Sequence, residues 1–264
     1  MRLAFRPVAA LALLALAGAL AAPPARATTA VLYDGAAPGE TPADQGFFIY
    51  LTHPRPPESA TLAPHPSGGA VLDTLGAAVD YAGLYAPPSS LPVLGRTDGF
   101  TLTFTARLGD EDHALDSRAG FSALVLADDR MGIELAFWAD EVWAQNDGLH
   151  DPAPGQGLFT HGEGAALDTT AGLVTYSVAV RGDRYALLAD GAELLEGPLR
   201  RYQPDPRENP LASSYFLGNA VFLGDNTSRA GAAVLLAGVS LETPDPAPAP
   251  APDQTPRAYL PMVP

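Results

Sequence analysis

The sequence predicts an all-β protein, a two-sheet antiparallel sandwich of the jelly-roll kind, and three observations predict it. Short apolar stretches recur between clusters of Gly, Pro, Asp and Asn. Within them the residues alternate with a period of two: Phe100, Leu102 and Phe104 against Thr101, Thr103 and Thr105, then Val174, Tyr176, Val178 and Val180 against smaller or polar partners. No window of about a dozen residues keeps the 3.6-residue stripe of an amphipathic helix.

Each segment has its own reason. Arg2 and Arg6 precede an apolar run from Val8 to Ala22 that ends at Ala25-Arg26-Ala27, the pattern of a secretory signal peptide over residues 1–27. The run is shorter than the roughly 20 residues a membrane-spanning helix needs, and nothing later is longer or more apolar. The mature chain is therefore expected to begin at Thr28, to be exported to the cell surface or the medium, and to have no membrane span.

A β-sandwich domain is expected over 28–243. Its strands are read in GFFIYL (46–51), GFTLTFTARL (99–108), GFSALVLA (120–127), LVTYSVAV (173–180) and AAVLLAGVSL (232–241). In 180–197, Gly182-Asp183 and Asp190-Gly191 punctuate three strand-like pieces, and Asp-Gly is a strong two-residue hairpin signal. The Arg181-Gly182-Asp183 triplet is explained by that turn without an adhesion role. Prolines make 52–69, 151–157 and 200–214 irregular loops, since a central strand cannot lose an N–H. From Pro244 the chain becomes PDPAPAPAPDQTP, a polyproline II spacer, and ends in the short apolar tip RAYLPMVP, so 244–264 reads as a linker and tip.

Charge narrows the function. The formal charge is −15, and residues 1–27 hold three arginines and no acids, so the mature chain carries −18. Nucleic acid is excluded as a partner, because phosphate contacts need a basic face. The absence of cysteine rules out disulfides and thiolate chemistry, so stability must come from burial.

Both tryptophans lie in GIELAFWADEVWAQND (132–147). A hairpin with Ala139-Asp140 at its tip pairs Trp138 with Glu141, Phe137 with Val142, Ala136 with Trp143, Leu135 with Ala144 and Glu134 with Gln145. Ile133, Leu135, Phe137, Val142 and Ala144 then share one face. The other carries the candidate ligand-binding residues Glu134, Trp138, Glu141, Trp143 and Gln145. Aromatic rings beside Glu and Gln suit a sugar, whose C–H face packs on a ring while its hydroxyls take hydrogen bonds. The same face could equally be sealed by a loop such as 52–69 into a second small core.

A hydrolase of this fold needs two carboxylates within roughly 5–9.5 Å. Glu134, Ala136 and Trp138 lack the middle acid, and Glu141 falls roughly 13 Å from Glu134 along the strands. Glu163 or Asp168 is a candidate second acid, though nothing in the sequence requires it, and no catalytic residue is assigned. His161-Gly162-Glu163 lacks a third ligand for a metal site. No cofactor is implied; Asp110-Glu111-Asp112, Asp128-Asp129 and Asp225-Asn226 offer the oxygen ligands that calcium takes. Asn226-Thr227-Ser228 matches a glycosylation acceptor and is read instead as a turn cap.

The segments RAGFSALVL (118–126), GIELAFWADEVWAQND (132–147), FTHGEG (159–164), RYALLADGAELLEGPLRRY (184–202) and FLGDNTSRA (222–230) together resemble the bacterial choice-of-anchor domains. The resemblance runs from about Gly46 to Leu241. It implies an exported concanavalin A-like (LamG-like) sandwich joined to a C-terminal surface anchor. The tip departs from a sortase signal, having Leu260-Pro261-Met262-Val263 and no apolar helix or basic tail. Three roles follow: a non-enzymatic structural or adhesive surface domain, a carbohydrate-binding module using the Trp138/Trp143 face, or a glycan hydrolase or lyase. A glycan or a cell-envelope component is the partner expected.

Overall fold

The computed structural model describes residues 27–51, 60–76, 82–86, 88–146, 160–202, 213–227 and 229–244. The chain folds as two antiparallel sheets packed face to face. Its strands begin with β1 (Ala27–Asp34), β2 (Phe48–Leu51), β3 (Thr61–Pro64), β4 (Ala70–Asp73) and β5 (Ala82–Tyr85). They continue with β6 (Phe100–His113), β7 (Ser122–Leu126), β8 (Gly132–Phe137), β9 (Glu141–Gln145) and β10 (His161–Ala166). The last are β11 (Val174–Arg181), β12 (Arg184–Ala189), β13 (Ala192–Pro198), β14 (Ala220–Asp225) and β15 (Ala230–Pro244).

One sheet runs β13-β12-β11-β6-β15-β4-β3, with β1 also on β15; the other runs β10-β9-β8-β7-β14-β5-β2. The expected fold class, an all-β two-sheet antiparallel sandwich, is the observed one. Two details differ from the sequence reading. Residues 61–64 of the proline-rich stretch form the edge strand β3, where Pro64 meets Ala70 at the margin that prolines tolerate. A single helical turn, α1 (Ser213–Phe216), closes the loop expected over 200–214. The loop 151–157, residues 1–26 of the signal segment and nearly all of the tail lie outside the described residues.

The core is built from the alternation seen in the sequence. Phe100, Leu102, Phe104, Ala106 and Leu108 are buried on one face of β6, and Tyr176, Val178 and Val180 on β11. Ile133, Leu135, Phe137, Val142 and Ala144 meet them from the other sheet. At the centre the ring of Phe104 stacks on Tyr176 (5.3 Å) and meets Phe137 edge-on (5.8 Å), an arrangement aromatic quadrupoles favour.

Turn chemistry sets the register. Asp190 and Gly191 both take positive φ (49° and 81°), as the tight turn between β12 and β13 requires. Gly182 and Asp183 join β11 to β12, with Arg181 opposite Arg184, so the Arg-Gly-Asp triplet is a hairpin tip. Asp183 is held there by Arg96, which also binds Asp129 at 2.7 Å.

Candidate functional site

The hairpin of β8 and β9 has the expected register: Leu135 pairs with Ala144, Ala136 with Trp143 and Phe137 with Val142. The Trp138 amide donates to the Glu141 carbonyl at 2.8 Å and closes the turn at Ala139-Asp140. Glu134, Ala136, Trp138, Glu141, Trp143 and Gln145 therefore lie on the face turned away from the core.

That face is covered, and residues 52–59 of the loop expected to cover it lie outside the described residues. The segment 114–119, which follows β6, lies across it. The Trp138 indole donates to the Arg118 carbonyl at 2.7 Å, and His161 Nδ1 lies 3.0 Å from the Asp116 carbonyl. The Gln145 amide reaches the Ser117 carbonyl at 3.4 Å. Ala119, Ala136, Trp138 and Trp143 form a small apolar cluster of their own, with Trp143 fully buried and Trp138 only 9% exposed. Trp143 Nε1 has no hydrogen-bond partner among the described residues.

Glu134 lies further along the same face, 3% exposed, under a second cover made by Tyr202 and Tyr215. The Tyr215 phenol donates to Glu134 Oε2 and the Asn226 amide to Oε1, each at 2.6 Å. Burial, the largest influence, raises the Glu134 carboxyl above its ordinary range; the bonds from Tyr215, Ser122 and Asn226 and the charge of Arg118 oppose it without prevailing. A buried carboxyl answered by phenol and amide donors is a satisfied interior group, able to hold a proton but closed to solvent.

The candidate second acids are engaged elsewhere. Glu163 pairs with the Arg200 guanidinium and accepts from the Tyr185 phenol at 2.8 Å. Burial pushes its carboxyl up, but the Arg200 and Tyr185 bonds together hold it below the usual range. Asp168 binds the Thr170 hydroxyl at 2.7 Å in a local turn. Neither is a partner of Glu134. Asp110, Glu111 and Asp112 belong to the extended end of β6, and no cluster of three metal-ligating side chains occurs among the described residues. Asp225, not Asn226, caps its turn, accepting from the Thr227 amide at 2.9 Å. Asp225 is enclosed, and burial raises its carboxyl well above the ordinary range.

Of the five predicted residues, the structure brings Trp138, Glu141 and Trp143 together around His161 and places Glu134 in a separate polar group, with Gln145 between. Sequence reasoning missed His113, Tyr202, Tyr215 and Arg118. One signal was present: Tyr202 and Tyr215 bracket the proline-rich loop, and bulky phenols at both ends of a loop suit an anchored cover.

No family model matches the chain, and no curated protein matches it. Solved structures do. A carbohydrate esterase from the Shiga toxin-encoding bacteriophage phi24B is 12% identical, with 76% of this chain and 91% of that one covered and a TM-score of 0.48. Alginate lyase A1-II', of polysaccharide lyase family 7, is 13% identical over 83% and 95%, with a TM-score of 0.44. The carbohydrate-binding module CBM66 from Bacillus subtilis is 10% identical over 74% and 95%, at 0.42. These likenesses do not choose among an esterase, a lyase and a binding module.

Proposed function

We propose that this chain is an exported, non-catalytic β-sandwich with a structural or adhesive role at the cell surface or in the medium, carried there by residues 1–27 and spaced from its attachment by the proline-rich tail. One observation carries this reading: the face on which a sandwich of this type could hold a ligand is filled by the protein's own side chains. Trp143 is enclosed, Trp138 is tied to the 114–119 loop, and the Glu134 carboxyl is spent on Tyr215 and Asn226. A sugar stacking on either indole would have to displace that loop. The partner in this role is a cell-envelope component met by the outer surface.

Replacing Trp143 with Ala tests the reading. A packed indole lost from a sealed cluster should cost about 3–5 kcal/mol by chemical denaturation, and the wild-type protein should be silent on a glycan array. The alternative, a carbohydrate-binding module on this face, requires the opposite: wild-type glycan binding that disappears in Trp143→Ala while stability hardly changes. Robust turnover of a polysaccharide by wild type, lost in Glu134→Gln, would establish the hydrolase or lyase reading instead.

A further inference from the structure

The cover over the tryptophans has an imidazole at its closing point. His161, at the start of the edge strand β10, stacks on Trp143 with centroids 4.3 Å apart and planes 18° apart, and meets Trp138 edge-on at 5.0 Å. Its Nδ1 lies 3.0 Å from the Asp116 carbonyl and its Nε2 3.1 Å from Glu141 Oε1. A carbonyl oxygen only accepts, and so does a carboxylate. A neutral imidazole has one N–H and serves one of the two; both bonds exist together only when the ring carries both protons.

The groups that face the ring come from each element around it. The indole faces attract a cation. Glu141 comes from β9, its carboxylate lying over Gly164, where a side chain would displace it. The loop presents the Asp116 carbonyl and also Arg118. From β6, His113 stacks on Trp138 at 4.3 Å and pairs with Glu111. Glu163, on the same strand as His161, is neutralised by Arg200.

We propose that His161 is a pH-responsive clasp: doubly protonated, it holds the 114–119 loop and Glu141 at once and keeps the tryptophan face closed, and losing one proton releases one of the two bonds and loosens the loop.

Tryptophan emission reads this directly, because an imidazolium stacked on an indole quenches it. Because His113 also stacks on Trp138, the reading is made in His113→Gln, which should brighten as pH is raised. Adding His161→Gln should abolish that transition. Amide exchange at 117–119, corrected for its intrinsic pH dependence, should quicken above the transition in wild type and be fast throughout in His161→Gln. A transition that survives in the His113→Gln/His161→Gln double variant, or none in His113→Gln, overturns the clasp. If His161→Gln fails to fold, judged by near-ultraviolet circular dichroism, the ring 15N shifts of wild-type His161 decide. Two protonated nitrogens at the acid end and one at the alkaline end are expected, and a singly protonated ring at the acid end refutes the proposal.

Discussion

The phenol of Tyr202 stands between two strands in place of a backbone bond: the Glu134 amide donates to it at 2.8 Å and it donates to the Gln145 carbonyl at 2.9 Å. The direct pairing of β8 and β9 begins one step further on, at Leu135 and Ala144. A side chain from a distant loop thus continues the ladder. Tyr202→Phe should preserve the ring's packing but strand a buried N–H and a buried C=O. We expect a loss of about 1–3 kcal/mol in denaturant titrations, with faster exchange of the Glu134 amide.

Glu134 itself should make the protein less stable as pH rises. Its folded carboxyl stays protonated above the range in which the unfolded chain ionises, so the folded state binds the extra proton there and stability declines from about pH 4.5 up to the folded value. Glu134→Gln keeps an acceptor for Tyr215 and has no proton to lose. Its melting temperature should match wild type in acid and exceed it at neutral pH; equal slopes in both proteins would show that the carboxylate is carried charged.

Glu163 has the opposite sign. Held below its ordinary range by Arg200 and Tyr185, it stabilises the fold above the unfolded carboxylate value, and that contribution disappears as pH falls through the folded one. Glu163→Gln should cost about 1–3 kcal/mol at pH 7, since it takes a charged partner from the nearly buried Arg200, and should flatten the acid limb of a pH series of melts.

Gly191→Ala isolates backbone strain. A Cβ there would meet nothing within 4 Å, yet φ is +81°. The expected loss is about 1 kcal/mol, from the left-handed conformation alone. A loss several times larger would mean that the turn shifts and carries the β12–β13 register with it.

Deleting everything after Pro244 should leave the melting temperature unchanged, because a proline-rich segment has no N–H ladder to offer and little apolar area to bury. The cut belongs there and not one residue earlier: β15 uses Thr243 and Pro244 against Thr28 and Ala27. A marked drop would show that Tyr259 and Leu260 pack on the sandwich.

The strands and the hairpin parity were legible because alternation is local: moving the β8–β9 register by one residue would have put Glu134 in the core and Leu135 outside. What closes the outer face was not legible. Arg118 reaches Trp138 through a backbone carbonyl, which any residue would have supplied, and Tyr215 meets Glu134 across 81 positions of sequence. Period and turn chemistry carry no information about such long-range partners. The stacking of His161 on Trp143 depends on β10 pairing with β9, beyond the reach of spacing rules.

The last strand among the described residues is an interior one. β15 pairs with β6 along one side and with both β1 and β4 along the other. Ala27 finds its partner only at Pro244, and β6 has its β15 neighbour only once residues 230–242 exist. A chain emerging from its N-terminus, from a ribosome or through a pore, therefore cannot complete this sheet until residues 230–244 have passed. High contact order makes such folding slow, and here it also makes it late: the order of threading holds the sandwich open until the final strand arrives.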